Sequence, residues 1–523
     1  MVYVLIFYTP APGHSARDRR YEGGATSSAA SAASGGIDGA SPSPGRAAGE
    51  TPAETQPRVK KFSGREAIAQ QFRVVRPLDD EDVYRVRYYA KFVLSMKLWK
   101  SDADLSANDL QQVHIALREQ TLFPNLRVFE YEGPSEFTPY LPSILVTSVT
   151  DMKLYYNFGC DLDMGLWTVR PEDIDYSDDR DAILAIKERQ PRAPITTLLI
   201  FISMPLPEFL RPILTGWDEL EDLTLETHCV DPPMFMMIAA LPHLKNLEMP
   251  AVSGLDRPCV ASRSACTSNY TLRSLRLYGL SVAEMISIIR PISLSTLEAI
   301  CGVAASAFQD IGMRIREAGV PASLQDMTLA QHVLHPHPEQ EPDAYWREAL
   351  RIQHIIPFFF NKSLVHVRII FQTIAFSDDD MAILAQAWPR LQSLTLLSEG
   401  STDVPVALSS MLAFARYCPD LTYLLLSVDA TRITVPNPSN IPFPRAHERL
   451  SVLHVEDSPI SSPARVASFL TRFFPNARPK VGLKTRMNDA TRERLWLDVL
   501  ELIPILLDAR MTGIHGGVTV KPK

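Results

Sequence analysis

Between Phe376 and Leu426 the chain runs twice through one pattern: an amphipathic segment, a break containing proline, then Leu-x-x-Leu-x-Leu. The first copy has helical apolar spacing from Asp378 to Ala387, breaks at Trp388-Pro389-Arg390, and continues with Leu391, Leu394 and Leu396. The second runs from Ala407 to Arg416, breaks at Cys418-Pro419-Asp420, and continues with Leu421, Leu424 and Leu426. The 3.6-residue spacing before each break predicts a helix, and the alternation after it predicts a short strand with one face buried. The two triplets begin 30 residues apart, so helix, break and strand recur as a unit. Such units predict a solenoid.

The same 1-4-6 spacing starts at Leu126, Val149, Ile195, Leu220, Leu244, Leu272, Leu294, Leu324, Leu364, Leu391, Leu421 and Leu450. Most steps are 22 to 30 residues. The step of 46 between Val149 and Ile195 is expected to hold two repeats of 23, one with its triplet lost. The step of 40 after Leu324 contains His332 to Pro342, rich in His, Pro and Glu, which reads as a loop insertion. Pro124, Pro242, Pro389 and Pro419 each stand just ahead of a triplet, where the fixed φ and missing N–H stop a helix and favour extended chain. Helix starts are marked by Ser106 with Asp109, Ser281 with Glu284, and Ser377 with Asp380, and by Ser462 ahead of Pro463 at the first helical position.

One such repeat has too few apolar side chains to offset the entropy of ordering its backbone, so neighbours must share a core and both ends need covers. Amphipathic segments Asp82 to Trp99 and Ala107 to Gln120 are predicted as helices covering the first end. Thr491 to Leu507, with Trp496, Val499, Leu500 and Ile503, is predicted to cover the last. Before them, Gly23 to Pro57 is mainly Gly, Ala, Ser, Pro and Thr with Ile37 as its one large aliphatic residue, the composition of a disordered tail. The expected organisation is a tail over 1–60, a helical cap over 61–122, the solenoid over 123–480, and a C-terminal cap and tail over 481–523.

Composition narrows the function. A net charge of −8 without a Lys/Arg run argues against nucleic acid or an anionic membrane as partner. Six scattered cysteines do not make a disulfide framework and suit a reducing compartment. Val2 to Tyr8 is too short to span a bilayer and lacks the basic start of a signal peptide. A cytoplasmic or nuclear protein is therefore expected.

With the triplets and the helices between them on the page, the chain resembles helix-containing leucine-rich repeats. It is similar in particular to fungal F-box proteins with irregular leucine-rich repeats. The similarity lies in YAKFVLSMKLW (Tyr89 to Trp99), LFPNLRVFEY (Leu122 to Tyr131), MAILAQAWPRLQSLTL (Met381 to Leu396), MLAFARYCPDLTYLLL (Met411 to Leu426) and LHVEDSPISSPARVASFLTRFFPNA (Leu453 to Ala477). It covers about residues 82 to 510. The triplet spacing gives eleven to thirteen repeats, and the resemblance implies that they form an irregular right-handed α/β horseshoe with a parallel sheet on the concave face and helices outside. It also implies a substrate receptor of an SCF-type ubiquitin ligase, in which an F-box binds the Skp adaptor and the repeats hold a target protein. The chain departs from the family at two points. No Leu-Pro-x-Glu opening of an F-box precedes Asp82, so any F-box remnant falls within 61–122. The Asn or Cys usual nine positions into a repeat is replaced by His228, Leu280, Glu399, Asp429 and Ser458. The alternative is a leucine-rich-repeat adaptor without an F-box that binds a partner with no ubiquitin transfer. A third class, an enzyme with a site in the insertions, would require convergent titratable groups in a pocket.

Metal and catalytic motifs give no support to that third class. His332-x-x-His335-x-His337 lies in a Pro-rich stretch without cysteines at ligand spacing, and Cys259-x6-Cys266 fits no common zinc spacing. Asp173-x-Asp175-x-Ser177 begins like a calcium loop, but its sixth position is Asp178 and its twelfth is Leu184. No phosphate-binding glycine loop and no Gly-x-Ser-x-Gly element occurs. No cofactor, metal or catalytic residue is expected. If the triplet leucines point inward, the residues alternating with them form the concave face. The candidate partner-binding residues on that face are Glu226, Arg276, Tyr278, His366, Arg368, Tyr423 and His454. Arg and Tyr dominate binding hot spots.

Overall fold

The computed structural model describes residues 78–99, 107–117, 122–132, 140, 148–156, 194–202, 214–215, 217–226, 230–250, 271–279, 282–289, 293–301, 304–319, 323–331, 348–399, 406–433, 446–456, 458–480 and 490–515. The expected tail, the histidine-rich insertion, the Cys259/Cys266 pair and the Asp173 loop lie outside them.

Among the described residues, strands form one open sheet in which every neighbour follows in sequence order. They are β1 (Ser95–Trp99), β2 (Val128–Glu132), β3 (Asp151–Tyr156), β4 (Thr197–Ile202), β5 (Asp222–Glu226), β6 (Asn246–Pro250) and β7 (Ser274–Gly279). There follow β8 (Thr296–Cys301), β9 (Asp326–Gln331), β10 (His366–Phe371), β11 (Ser393–Ser398), β12 (Tyr423–Leu426), β13 (Val452–His454) and β14 (Arg478–Lys480). All pairings are parallel, so the chain must cross back between strands, and helices such as Val282–Ile289, Asp378–Ala387 and Met411–Tyr417 do this on the convex side. This is the leucine-rich-repeat solenoid that the triplets predict.

Each of the twelve predicted triplets leads into one of the strands β2 to β13. In register the inward row reads Leu223, Leu247, Leu275, Leu297, Met327, Val367, Leu394, Leu424 and Leu453 along β5 to β13, all buried. The proline breaks close tight turns: the N–H groups of Leu126, Leu391 and Leu421 donate to the carbonyls of Phe123, Trp388 and Cys418 at 3.1–3.2 Å. In four repeats a hydroxyl beside the first triplet position then ties the repeat to the one before. Ser148, Thr271, Ser323 and Ser363 donate to the carbonyls of Leu126, Leu244, Leu294 and Leu324 at 2.8–2.9 Å. In the last repeats Ser458 takes over a similar role, its buried hydroxyl accepting the Val428 N–H at 2.8 Å. Cys418 is buried against the Ala385 and Trp388 carbonyls, and burial pushes its thiol pKa up to about 12.

Three expectations are corrected. The helix predicted from Asp82 to Trp99 ends at Ala90, and Ser95–Trp99 is strand β1, paired with β2 over five residues. Val93, Met96 and Leu98 repeat the 1-4-6 spacing, and Val93 and Met96 are buried. Their strand satisfies the edge of β2, which a continuing helix would leave open. The 46-residue step holds one repeat, because β3 pairs directly with β4 in six register positions. Finally, β14 adds a strand where no leucine triplet signals one: Arg478, Pro479 and Lys480 make a short edge that proline and charge keep from pairing further. Among the described residues the strands thus number fourteen, against eleven to thirteen expected repeats.

Helices flank the sheet at both ends, but the segment predicted as a second N-terminal cap, helix Ala107–Leu117, stands between β1 and β2 as a crossover. Helix Asp80–Ala90 opens with a capping box between Asp79 and Asp82. The C-terminal helix spans Ala490–His515, longer than predicted, and buries Trp496, whose indole N–H donates to the Ser458 carbonyl at 3.0 Å. The expected box at Ser377 forms as well: the Asp380 N–H donates to the Ser377 hydroxyl at 3.2 Å and the Ser377 N–H to the Asp380 carboxylate at 2.8 Å. Replacing Ser377 with Ala removes the first of these bonds and is expected to lower stability by about 1 kcal/mol in chemical denaturation. An unchanged midpoint would show that helix Asp378–Ala387 is held by packing alone.

Candidate concave interaction face

Alternation along each strand divides its residues between core and surface, and the shared register lines the surface residues into rows. The middle outward row runs Lys97, Glu130, Lys153, Leu199, Thr224, Glu248, Arg276, Glu298, Thr328, Arg368, Thr395, Leu425, His454 and Lys480. Each predicted site residue stands on an outward position: Glu226 on β5, Arg276 and Tyr278 on β7, His366 and Arg368 on β10, Tyr423 on β12, His454 on β13.

The structure brings them into three groups. In the first, Arg276 bridges two carboxylates, reaching Glu248 at 2.9 Å and Glu298 at 2.5 Å. The Tyr278 hydroxyl donates to the other oxygen of Glu248. Burial would lower the Arg276 pKa, but the two glutamates outweigh it and hold the guanidinium firmly charged. Burial and the Glu248 bond push the Tyr278 phenol well above its usual range, so it stays a neutral donor. Glu226 at the end of β5 has its pKa raised by burial of the carboxyl and by Glu248. In the second group, His366 lies 4.0 Å from the Asp326 carboxylate. Beside it Arg368 is exposed and makes no ion pair or hydrogen bond with any described residue; its register neighbours Thr328 and Thr395 are uncharged. In the third, the Tyr423 and His454 rings lie 5.4 Å apart, and burial and Lys480 lower the His454 pKa.

Several residues of the face were absent from the candidate set. Glu248 and Glu298, which complete the Arg276 bridge, sit at the same offset from Leu244 and Leu294 as the chosen residues do from their own triplets. The offset alone would have found them. A second ladder, Lys97–Glu130–Lys153 at 3.0 and 2.6 Å, includes β1: the helix expected there hid Lys97, whereas Glu130 and Lys153 stand at the same offset from Leu126 and Val149. The two lysines overcome burial and lower the Glu130 pKa.

Among the described residues no group of three or more His, Cys, Asp or Glu could hold a metal ion. No helix among them is long and apolar enough to cross a membrane.

No family model matches the chain, and no curated protein matches it in sequence. Solved structures with a similar chain path include yeast Rad7 in complex with Elc1, at 13% identity over 78% of this chain and 86% of that one, with a TM-score of 0.35. An internalin (inlF) from Listeria monocytogenes aligns at 11% identity over 79% and 86%, with a TM-score of 0.34. The plant peptide hormone receptor RGFR1, in complex with RGF2, aligns at 13% over 71% and 55%, with a TM-score of 0.31. At these scores the repeat fold is read from the strand register of this chain itself.

The raised Glu226 pKa has a stability consequence with a definite sign. The folded state keeps this proton to higher pH than the unfolded chain, whose value is near 4.5, so ionisation costs stability as pH rises through the raised value. Glu226→Gln is therefore expected to melt above the parent protein at pH 7, the gap closing below the unfolded value. Thermal denaturation at pH 7 and pH 4 measures this, and an equal gap at both would contradict it.

Proposed function

We propose that this chain is a protein-recognition scaffold that holds a partner against the concave sheet, and more specifically a substrate receptor of an SCF-type ubiquitin ligase. The observation that carries recognition is the sheet face itself. Most outward residues remain wholly or partly exposed, Ala330 and Leu425 excepted, while their inward neighbours are buried, which makes a surface of fixed side chains. Glu226, Arg276, Tyr278, His366, Arg368, Tyr423 and His454 are the side chains offered to the partner. The ligase role rests on the resemblance of the repeats to fungal F-box proteins, and it would put a Skp-binding F-box remnant within residues 61–122, a stretch that also carries strand β1. Such a receptor works in the cytoplasm or nucleus and recognises its target without catalysing a reaction.

The test is a pull-down with purified Skp adaptor, comparing the full chain with one starting at Phe62. Adaptor binding by both supports the ligase reading and locates the remnant after Phe62. Binding lost on truncation supports it with the element before Phe62. Binding by neither overturns it and leaves the repeat adaptor that recognises a partner without ubiquitin transfer.

A further inference from the structure

The concave face is electrostatically uneven. From β1 to β8 the middle row answers its charges within the sheet: Lys97 and Lys153 flank Glu130, and Arg276 bridges Glu248 and Glu298, while Glu226 at the end of β5 is a carboxyl that Glu248 repels. From β8 to β12 the surface changes. The outer row runs from Ile300 through Ala330 and Ile370 to Leu397, and the middle row places Thr328, Arg368, Thr395 and Leu425 alongside it. Ile300, Ile370 and Leu397 are partly exposed, so among the described residues an apolar stripe lies beside Arg368, which no carboxylate pairs. Asp326, the acid facing this part of the middle row from the first outward position, is the neighbour of His366.

We infer that β8 to β12 form a subsite for an extended protein segment carrying an acidic side chain flanked by apolar ones, the carboxylate going to Arg368 and the apolar groups to Ile300, Ile370 and Leu397. This rests on the concave-face reading above and names the chemistry of its partner. Desolvation separates the two halves of the face. A partner covering the middle row of β1 to β7 would displace water from ion pairs that are already complete and would gain little from them. A partner covering β8 to β12 removes water from aliphatic surface, which is favourable, and from one guanidinium, which is costly unless the partner supplies an anion. Arg368 therefore selects the partner, since its planar fork favours bidentate contact with a carboxylate. The flanking threonines leave both edges of that fork without a competing charge.

The experiment pans a phage-displayed random dodecapeptide library on the full-length chain. Enriched peptides are then measured by fluorescence polarisation and mapped by hydrogen exchange. The expected winners carry Asp or Glu between apolar residues and protect β8 to β12. Arg368→Ala should weaken them at least tenfold, about 1.4 kcal/mol, and Arg368→Glu should select basic peptides instead. Ile370→Lys, which leaves Arg368 in place, should weaken them as well. Arg465→Glu, on the exposed surface of the helix Pro463–Phe473, applies the same charge change away from the sheet and should leave binding unaltered. Peptides without an acidic preference, or protection confined to β1 to β7, would overturn the subsite and leave concave recognition standing. Enriched peptides that protect no strand of the sheet, or no enrichment at all, would overturn both.

Discussion

Everything in this molecule depends on one constraint: consecutive strands pair in parallel and in register. A parallel pair cannot be joined by a hairpin, so every strand must be followed by a crossover, and the crossovers form the convex layer. Register then does two jobs. It stacks the inward leucines of neighbouring repeats into one core that no single repeat could build, and it stacks the outward residues into rows. A shift of one residue in any strand would exchange the two sets. The hydroxyl ladder of Ser148, Thr271, Ser323 and Ser363, and the returning N–H bonds of Leu126, Leu391 and Leu421, hold these triplets at the height where their neighbours expect them.

The outward rows are where function can vary without disturbing the core. Polar side chains on a sheet face either pair across strands or stay available to a partner. The Arg276 bridge and the Glu130 ladder take the first course, Arg368 the second. Tyr278 shows the cost of the first: fixed on Glu248 and half-buried, it supports the network more than it offers a free hydroxyl. A face composed in this way has a settled half and an open half, and the boundary falls at β8.

Much of the fold was legible in the sequence because the signal repeats. One Leu-x-x-Leu-x-Leu is weak, but twelve at similar spacing predict a parallel ladder, and each of the twelve is followed by its strand. The failures occur where the pattern is shared or absent. Val93, Met96 and Leu98 fit both a helical stripe and a triplet, and only pairing with β2 decides between them. Pro479 fills a core position at β14 that periodicity assigns to an aliphatic residue. The long step before Ile195 read as two repeats because length alone cannot distinguish a missing strand from a long crossover. The site was legible as a face but not as a network: alternation placed Arg276 and Arg368 outward alike, and only the register shows that one is bridged and the other is not.

The direct pairing of β3 with β4 is the most demanding point of the ladder, since residues 157–193 intervene between them. Introducing Lys153→Cys and Leu199→Cys together tests it, because these are register partners on the outward face. Adjacent strands lie about 4.8 Å apart, within the range that a disulfide spans, whereas strands separated by a further one lie roughly 9.6 Å apart and are out of reach. Mild oxidation followed by peptide mapping is expected to recover a 153–199 crosslink in the folded chain. Failure to form it, with the fold intact, would mean that another strand stands between β3 and β4 and that the rows on the concave face are not continuous.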